Sequence, residues 1–269
     1  VRYKDASTGA MLTSNNLVLN QATGETVASG DVKTTYAEQK AKPSGAMLSP
    51  SQPVHVTAPQ MVAKSAAGMA RYLGGARLWQ GGDIVQAPII EFNRSNSTLD
   101  AQSQGSHRVS TVFVQPEKNG KQMPVDVTAE HLHYSDGDRK ATFDGSLVLR
   151  SADSTLRAEK AVVTLRPHTA KDQTAKPARA DAPSELQTIE ATGNIRLQQP
   201  GRRATGTRLV YTADEGKFVL TGTPAVPPSI FDAEHGQVTG VSLTFFSRDD
   251  RVLVDSSNST SITQTRLKK

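Results

Sequence analysis

His131 and His133 flank Leu132, with Asp136 close behind, and two histidines one residue apart on a strand are the beginning of a zinc site. Leu132 and Tyr134 belong to an apolar alternation, which turns both histidines to the opposite, outer face, and no third ligand follows. His55, His107, His168 and His235 form no spacing motif, and Asp136-Gly137-Asp138 lacks the length and the later glutamate of a calcium loop, so it reads as a hairpin turn. Glu130, Asp144, Glu190 and Asp232 are carboxylates on strands. Two of them a few ångströms apart in a cleft would cleave a glycosidic bond, which keeps a carbohydrate-active β-solenoid enzyme as one reading. No glycine-rich phosphate loop, GxSxG elbow or HExxH occurs. The absence of cysteine excludes thiolate metal sites, disulfides and cysteine nucleophiles. No catalytic residue, metal ligand set or cofactor is expected.

Elements that would hold these side chains announce themselves by repetition. One spacing is apolar, one skip, small, two skips, apolar, one skip, apolar. It runs through Leu12, Ser14, Leu17 and Leu19, and recurs from Val56, Val85, Val127, Leu156, Ala204 and Val238. Segments of plain period two with a central glycine alternate with it: Ala70, Tyr72, Gly74, Ala76, Leu78; Ala141, Phe143, Gly145, Leu147, Leu149; and Ile189, Ala191, Gly193, Ile195, Leu197 are the clearest. Steps of 14 and 15 residues separate successive segments, giving a 29-residue repeat of two strands. A fixed period of this order marks an architecture in which each unit buries its apolar face only against neighbours.

Period two places alternate side chains on opposite faces of a sheet. The three-residue step breaks that parity as a β-bulge does, and the mid-strand glycine marks a second bend. Each kind of strand is thus expected to carry its own bending device. Turns at Asn20–Gly24, Ser135–Asp138, Asp214–Gly216 and Arg248–Asp250 join the strands as antiparallel hairpins. The expected fold is an all-β, bent antiparallel sheet of about 14–18 strands, continuous over residues 1–269, with sub-modules 1–110 and 125–269 as the alternative. Three stretches interrupt the rhythm and are expected as loops: residues 37–53, 105–124 and 167–184.

Apolar residues make up 36% of the chain and aromatics 5%, with mean hydropathy −0.44, which suits a narrow layered core. No run of about 18 apolar residues is present to span a membrane as a helix. The 31 basic and 26 acidic residues leave a net charge of +5, but they are dispersed. Aromatics follow the apolar row rather than interleaving with basic residues, so nucleic acid is not expected as a partner. A bent sheet whose two leaves do not fully interdigitate leaves a long apolar groove. Each buried methylene is worth about 0.8 kcal/mol, so an acyl chain of a dozen carbons gains roughly ten. The same row would also serve as the dry core of a structural or adhesin repeat scaffold.

The segments VHVTAPQMVAK, VDVTAEHLHYSDGDRKATFDGSLVLR, STLRAEKAVVTL, IEATGNIRLQQ and FVLTGTPAVPPSIFDAEHGQVTGVSLTFF resemble the organic-solvent-tolerance (OstA-like, LptA-like) superfamily of lipopolysaccharide-export domains. The pattern closes on Thr221, Gly222, Pro224, Pro227, Gly236, Thr239 and Gly240. That resemblance implies a V-shaped β-jellyroll in the periplasm with a lipopolysaccharide cargo, whose lipid A acyl chains are shielded inside. It also implies docking to proteins of the same fold, or to further copies, through edge strands. The residues facing the cargo would be Leu78, Ile90, Phe92, Phe143, Leu147, Leu149, Leu156, Val163, Ile195, Leu197, Leu209, Tyr211, Leu220, Leu243 and Phe245. This chain is longer than a single bridging module, and its first unit, Leu12 to Tyr36, matches less well.

Overall fold

The computed structural model describes residues 1–4, 9–36, 53–116, 122–166, 186–233, 236–246, 249–255 and 262–264. The expected loops 37–53, but for residue 53, and 167–184 lie outside them. Apart from one 3-10 turn at Ser65–Ala67, every regular element described is a strand, and every register pairing is antiparallel. The all-β antiparallel class expected from the alternation is therefore the class observed. Contacts divide the chain into two compact units, Val1–Thr142 with Leu165–Glu185 and Phe143–Thr164 with Leu186–Lys269.

The first unit holds β1 (Arg2–Lys4), β2 (Met11–Thr13), β3 (Asn16–Asn20), β4 (Glu25–Tyr36), β5 (Val54–Lys64), β6 (Met69–Gln80), β7 (Asp83–Asn93), β8 (Thr98–Gln102), β9 (Val109–Pro116), β10 (Gln122–Ala129) and β11 (His131–Ser135). Its long strands belong to two leaves at once. Residues 33–35 of β4 pair with β2 and residues 25–29 pair with β3. At the other side, residues 84–86 of β7 pair with β9 and residues 89–93 pair with β8. The first leaf thus runs from β1 and β2 to β9 and β10, the second from β3 to β8 and β11. The stretch 105–124, expected as a loop, contains all of β9 and the start of β10, two strands paired over their full length. Val112, Phe113 and Val114 are consecutive there, so the polar-apolar alternation that would betray a strand is missing.

The boundary between the units falls within β12 (Lys140–Arg150), and the second unit goes on through β13 (Thr155–Leu165, but for Leu165), β14 (Leu186–Gln199), β15 (Arg202–Thr212), β16 (Lys217–Thr221), β17 (Ser229–Asp232), β18 (Gly236–Thr239), β19 (Ser242–Phe246), β20 (Asp249–Asp255) and β21 (Ile262–Gln264). The plan is the same. Residues 202–205 of β15 pair with β17 in a first leaf that continues to β18 and β21, while residues 208–212 pair with β16 in a second leaf that continues to β19 and β20. The 21 strands described exceed the 14–18 expected. Several strands are cut in two at the corner, as where Gln104 bridges His107 between β8 and β9, and Thr223 bridges Val226 between β16 and β17.

The corner corrects the expectation of two bending devices. Gly30 and Asp31 lie between the pairs Ser29↔Gln60 and Val32↔Ala58, so two residues of β4 oppose the single Pro59. Gly74 and Gly75 oppose Pro88 in the same way, and Gly193 and Asn194 oppose Thr207. The glycine of one strand and the skipped residue of its neighbour are two sides of one bulge. Its residues are left-handed, with φ of 75° and 49° at Gly30 and Asp31 and 78° and 45° at Gly193 and Asn194, which glycine adopts freely and Asn or Asp tolerates. A Cβ on Gly74 would come within 3.2 Å of the Pro59 ring, so the missing side chain also makes room for the neighbouring strand.

Between the leaves, the apolar positions line up across strands. In the first unit Leu12, Thr34, Val56, Leu78, Val85, Thr111 and Val127 are register partners in one leaf, all at most 4% exposed. Ala28, Met61, Tyr72, Ile90, Ala101 and Leu132 form the facing rank, also buried. The second unit repeats this with Ala191, Leu209, Leu220 and Leu243. Each large side chain so buried stabilises by about 1.5–3 kcal/mol.

Candidate functional site

The interior between the leaves is the candidate site, and at the side of β2 and β3 in the first unit it opens. A small recess open to solvent is lined by Leu12, Met61, Ala63, Met69 and Ala70, with Lys64 and Arg94 among its walls. Leu19, in register with Thr26 on β4 and 45% exposed, continues this inner face on the edge strand. Tyr36, the last residue of β4, crosses from the first leaf to the second. Its ring meets Phe92 edge-on at 5.2 Å, its hydroxyl is 2.7 Å from that of Tyr72, and the Arg94 guanidinium lies 5.9 Å from its ring centroid. Burial, then the neighbouring Tyr36, raises the Tyr72 hydroxyl well above its ordinary pKa, so Tyr72 is uncharged at the crossing.

The second unit has a different crossing. Tyr211, Phe218 and Phe245, register partners on β15, β16 and β19, form a ring stack with centroids 4.5 and 4.8 Å apart. From the first leaf Arg202 reaches over Phe245 at 6.0 Å while donating to Asp232 Oδ2 at 3.2 and 3.4 Å.

The residues considered for catalysis face cations rather than one another. Glu130 lies 4.0 Å from Arg108, Asp144 3.3 Å from Lys160, Glu190 2.8 Å from Arg208, and Asp232 3.2 Å from Arg202. His131 and His133 are on the outer face, and His133 Nδ1 lies 2.7 Å from Asp100 Oδ1. Asp136 is buried and accepts the Tyr134 hydroxyl at 2.7 Å. Among the described residues no group of three potential ligands converges. Burial pushes the Asp83 carboxyl up to about 6, against the Val114 amide, from which it accepts a hydrogen bond at 2.9 Å.

Comparison with known proteins gives this interior a context. Residues 126–249, from β10 into β20, match the family described as LptA/(LptD N-terminal domain) LPS transport protein. The matched stretch is less than half of the chain. Among solved structures, LptH of Pseudomonas aeruginosa, the LptA-homologous periplasmic component of the lipopolysaccharide transport device, is similar at 14% identity. It covers 41% of this chain and 75% of its own, with a TM-score of 0.37. No curated protein matches the chain.

Leu78, Ile90, Phe92, Phe143, Leu147, Leu149, Leu156, Ile195, Leu197, Leu209, Leu220, Leu243 and Phe245 are buried, whereas Val163 and Tyr211 are partly exposed. Leu78, Ile90 and Phe92 fall in the first unit and the others in the second. Sequence reasoning missed Tyr36, Arg94 and Arg202 as site residues. A signal was available for two of them: Tyr36 continues the inward parity of Val32 and Thr34, and Arg202 that of Gly206 and Ala204.

Proposed function

We propose that this chain is a non-catalytic carrier of lipopolysaccharide in the periplasm, which takes lipid A acyl chains between its two leaves and hands them along the row of inner-face side chains. The observation that carries the reading is the apolar recess of the first unit, whose wall residue Met61 belongs to the same rank as Tyr72 and Ile90 and which has Lys64 and Arg94 beside it for an anionic head. The row residues are packed against one another, so loading requires the leaves to part and exchanges side-chain contacts for acyl contacts of similar free energy per area. The cargo-facing residues are those named above, Leu78 to Phe245. Edge strands supply the docking surfaces. β3, which exposes Val18 at 65% and Leu19 at 45%, and β20, which exposes Leu253 at 57%, offer unsatisfied backbone to a strand of a like-folded transport protein or of another copy.

Photo-crosslinkers at Leu149 or Leu209 are expected to capture lipopolysaccharide, and those at the outward Arg150 or Arg208 are not. Equal labelling of the two sets would remove the interior as the cargo path.

A further inference from the structure

The recess of the first unit draws its walls from β1, β2 and β4 in the first leaf and from β4, β5 and β6 in the second, and Tyr36 is among them. Val56 on the next strand of the first leaf, and Ile90 and Phe92 on the next strand of the second, take no part in lining it. Tyr36 touches both sides of that divide. It faces the recess, and it meets Phe92 edge-on at 5.2 Å and the Tyr72 hydroxyl at 2.7 Å beyond. Toward the corner the recess ends on Thr34 and Met61, whose Oγ1 and Sδ lie 3.7 Å apart. Past Tyr36 the side chains of Val56, Leu78, Tyr72 and Ile90 are fully buried, and such packing admits a further methylene only when a side chain moves. Tyr36 is the one placed to move. Tyr72 lies mid-strand in register with Met61 and Ile90, whereas Tyr36 is partly exposed and is the last residue of β4.

We propose that Tyr36 is the length stop of the first unit: its ring ends the recess, so that an apolar chain gains affinity with each carbon up to that ring and gains nothing from the next. The inference rests on the carrier reading and adds to it a residue that discriminates among cargoes by length. Until the chain reaches the stop, each methylene leaves water for the walls formed by Leu12, Met61, Met69 and Ala70 and multiplies affinity about fourfold. At the stop that gain ends. A longer chain keeps its surplus carbons in water, or turns the Tyr36 ring away from Phe92 and Tyr72 and loses those contacts in exchange. The side chain at position 36 therefore sets the preferred chain length, and a smaller one there opens the way toward Val56 and Ile90.

The test is the affinity of the whole chain for a series of alkyl maltosides, hexyl to tetradecyl, each below its aggregation limit, measured by titration calorimetry. Their uncharged head keeps Lys64 and Arg94 out of the comparison. The wild-type chain is expected to gain about fourfold per methylene up to a break and to stay level after it. Tyr36→Leu and Tyr36→Ala should move the break to longer chains, further in the alanine variant, and the first maltoside past the wild-type break should recover its missing factor of about four. Tyr36→Trp keeps an aromatic ring against Phe92 and reaches further, so it should move the break to shorter chains and keeps the question answerable where a smaller residue prevents folding. A side chain that only supports the fold would lower every affinity by one common factor. A break that stays in place in the variants that bind therefore overturns the length stop and leaves the carrier reading standing, as does a wild-type series that climbs without a break. Failure of every maltoside to bind the wild-type chain and the variants overturns the carrier reading and this inference with it.

Discussion

The two units close the gap between their leaves by opposite means. In the first, Tyr36 spans the gap as a neutral ring and a hydroxyl-to-hydroxyl contact with Tyr72; in the second, Arg202 spans it as a cation held by Asp232 and faced by Phe245. The scaffolds are alike down to the two-against-one corner, so the difference lies in two or three side chains at the rims. The first crossing joins two tyrosine hydroxyls and sets the Arg94 guanidinium over the Tyr36 ring. The second sets an ion pair of low exposure at the rim.

That contrast can be broken in a graded way. Phe245, fully buried beneath Arg202 and stacked on Phe218, should be the most costly: Phe245→Ala is expected to destabilise by about 3–5 kcal/mol in urea unfolding, and a loss below ~1 kcal/mol would mean that the stack does not support the ionic crossing. Next is a pH effect that belongs to neither crossing. Asp83 is protonated more readily in the folded chain than at its ordinary 3.8, so stability should fall as pH rises from about 4 to about 6 and then level off. Asp83→Asn keeps an acceptor for the Val114 amide, should abolish that slope, and should gain about 2 kcal/mol at pH 7; a slope that survives in the variant places the sensitive group elsewhere. Tyr36→Phe, which removes only the hydroxyl at the neutral crossing, should cost about 1 kcal/mol with no dependence on added salt, as followed by thermal unfolding in 0.05 and 0.5 M sodium chloride. Least affected should be His133→Asn, which breaks a pair with Asp100 on the outer face and should move stability by less than ~0.5 kcal/mol.

Much of this arrangement is legible in the sequence because it is local. Period two fixes which face Leu78, Phe143 or Leu209 takes, and a glycine or a three-residue step fixes where a strand bends. The identity of the two bends was not legible, since Gly74 meets Pro59 only once the register of two strands is known, and register is a long-range property. β9 stayed hidden because Val112 and Val114 on one face and Val109 and Phe113 on the other put apolar side chains on both of its faces. Arg202 and Tyr36 obey the inward parity of their strands. They were passed over because a polar type at a strand end looks like the place where a strand stops, when here it is where the opposite leaf begins to touch.

The two-against-one corner carries a consequence for how such a chain can change length. Sliding one long strand past its neighbour by a single residue would turn every inward side chain outward, and it would also move the left-handed pair off its lone partner, so the corner acts as a phase mark that two adjacent strands must share. Adding or removing a whole two-strand rung leaves every remaining mark aligned, while adding one residue misaligns them all. The interior can therefore be lengthened only in discrete steps, and its capacity is set by counting rungs.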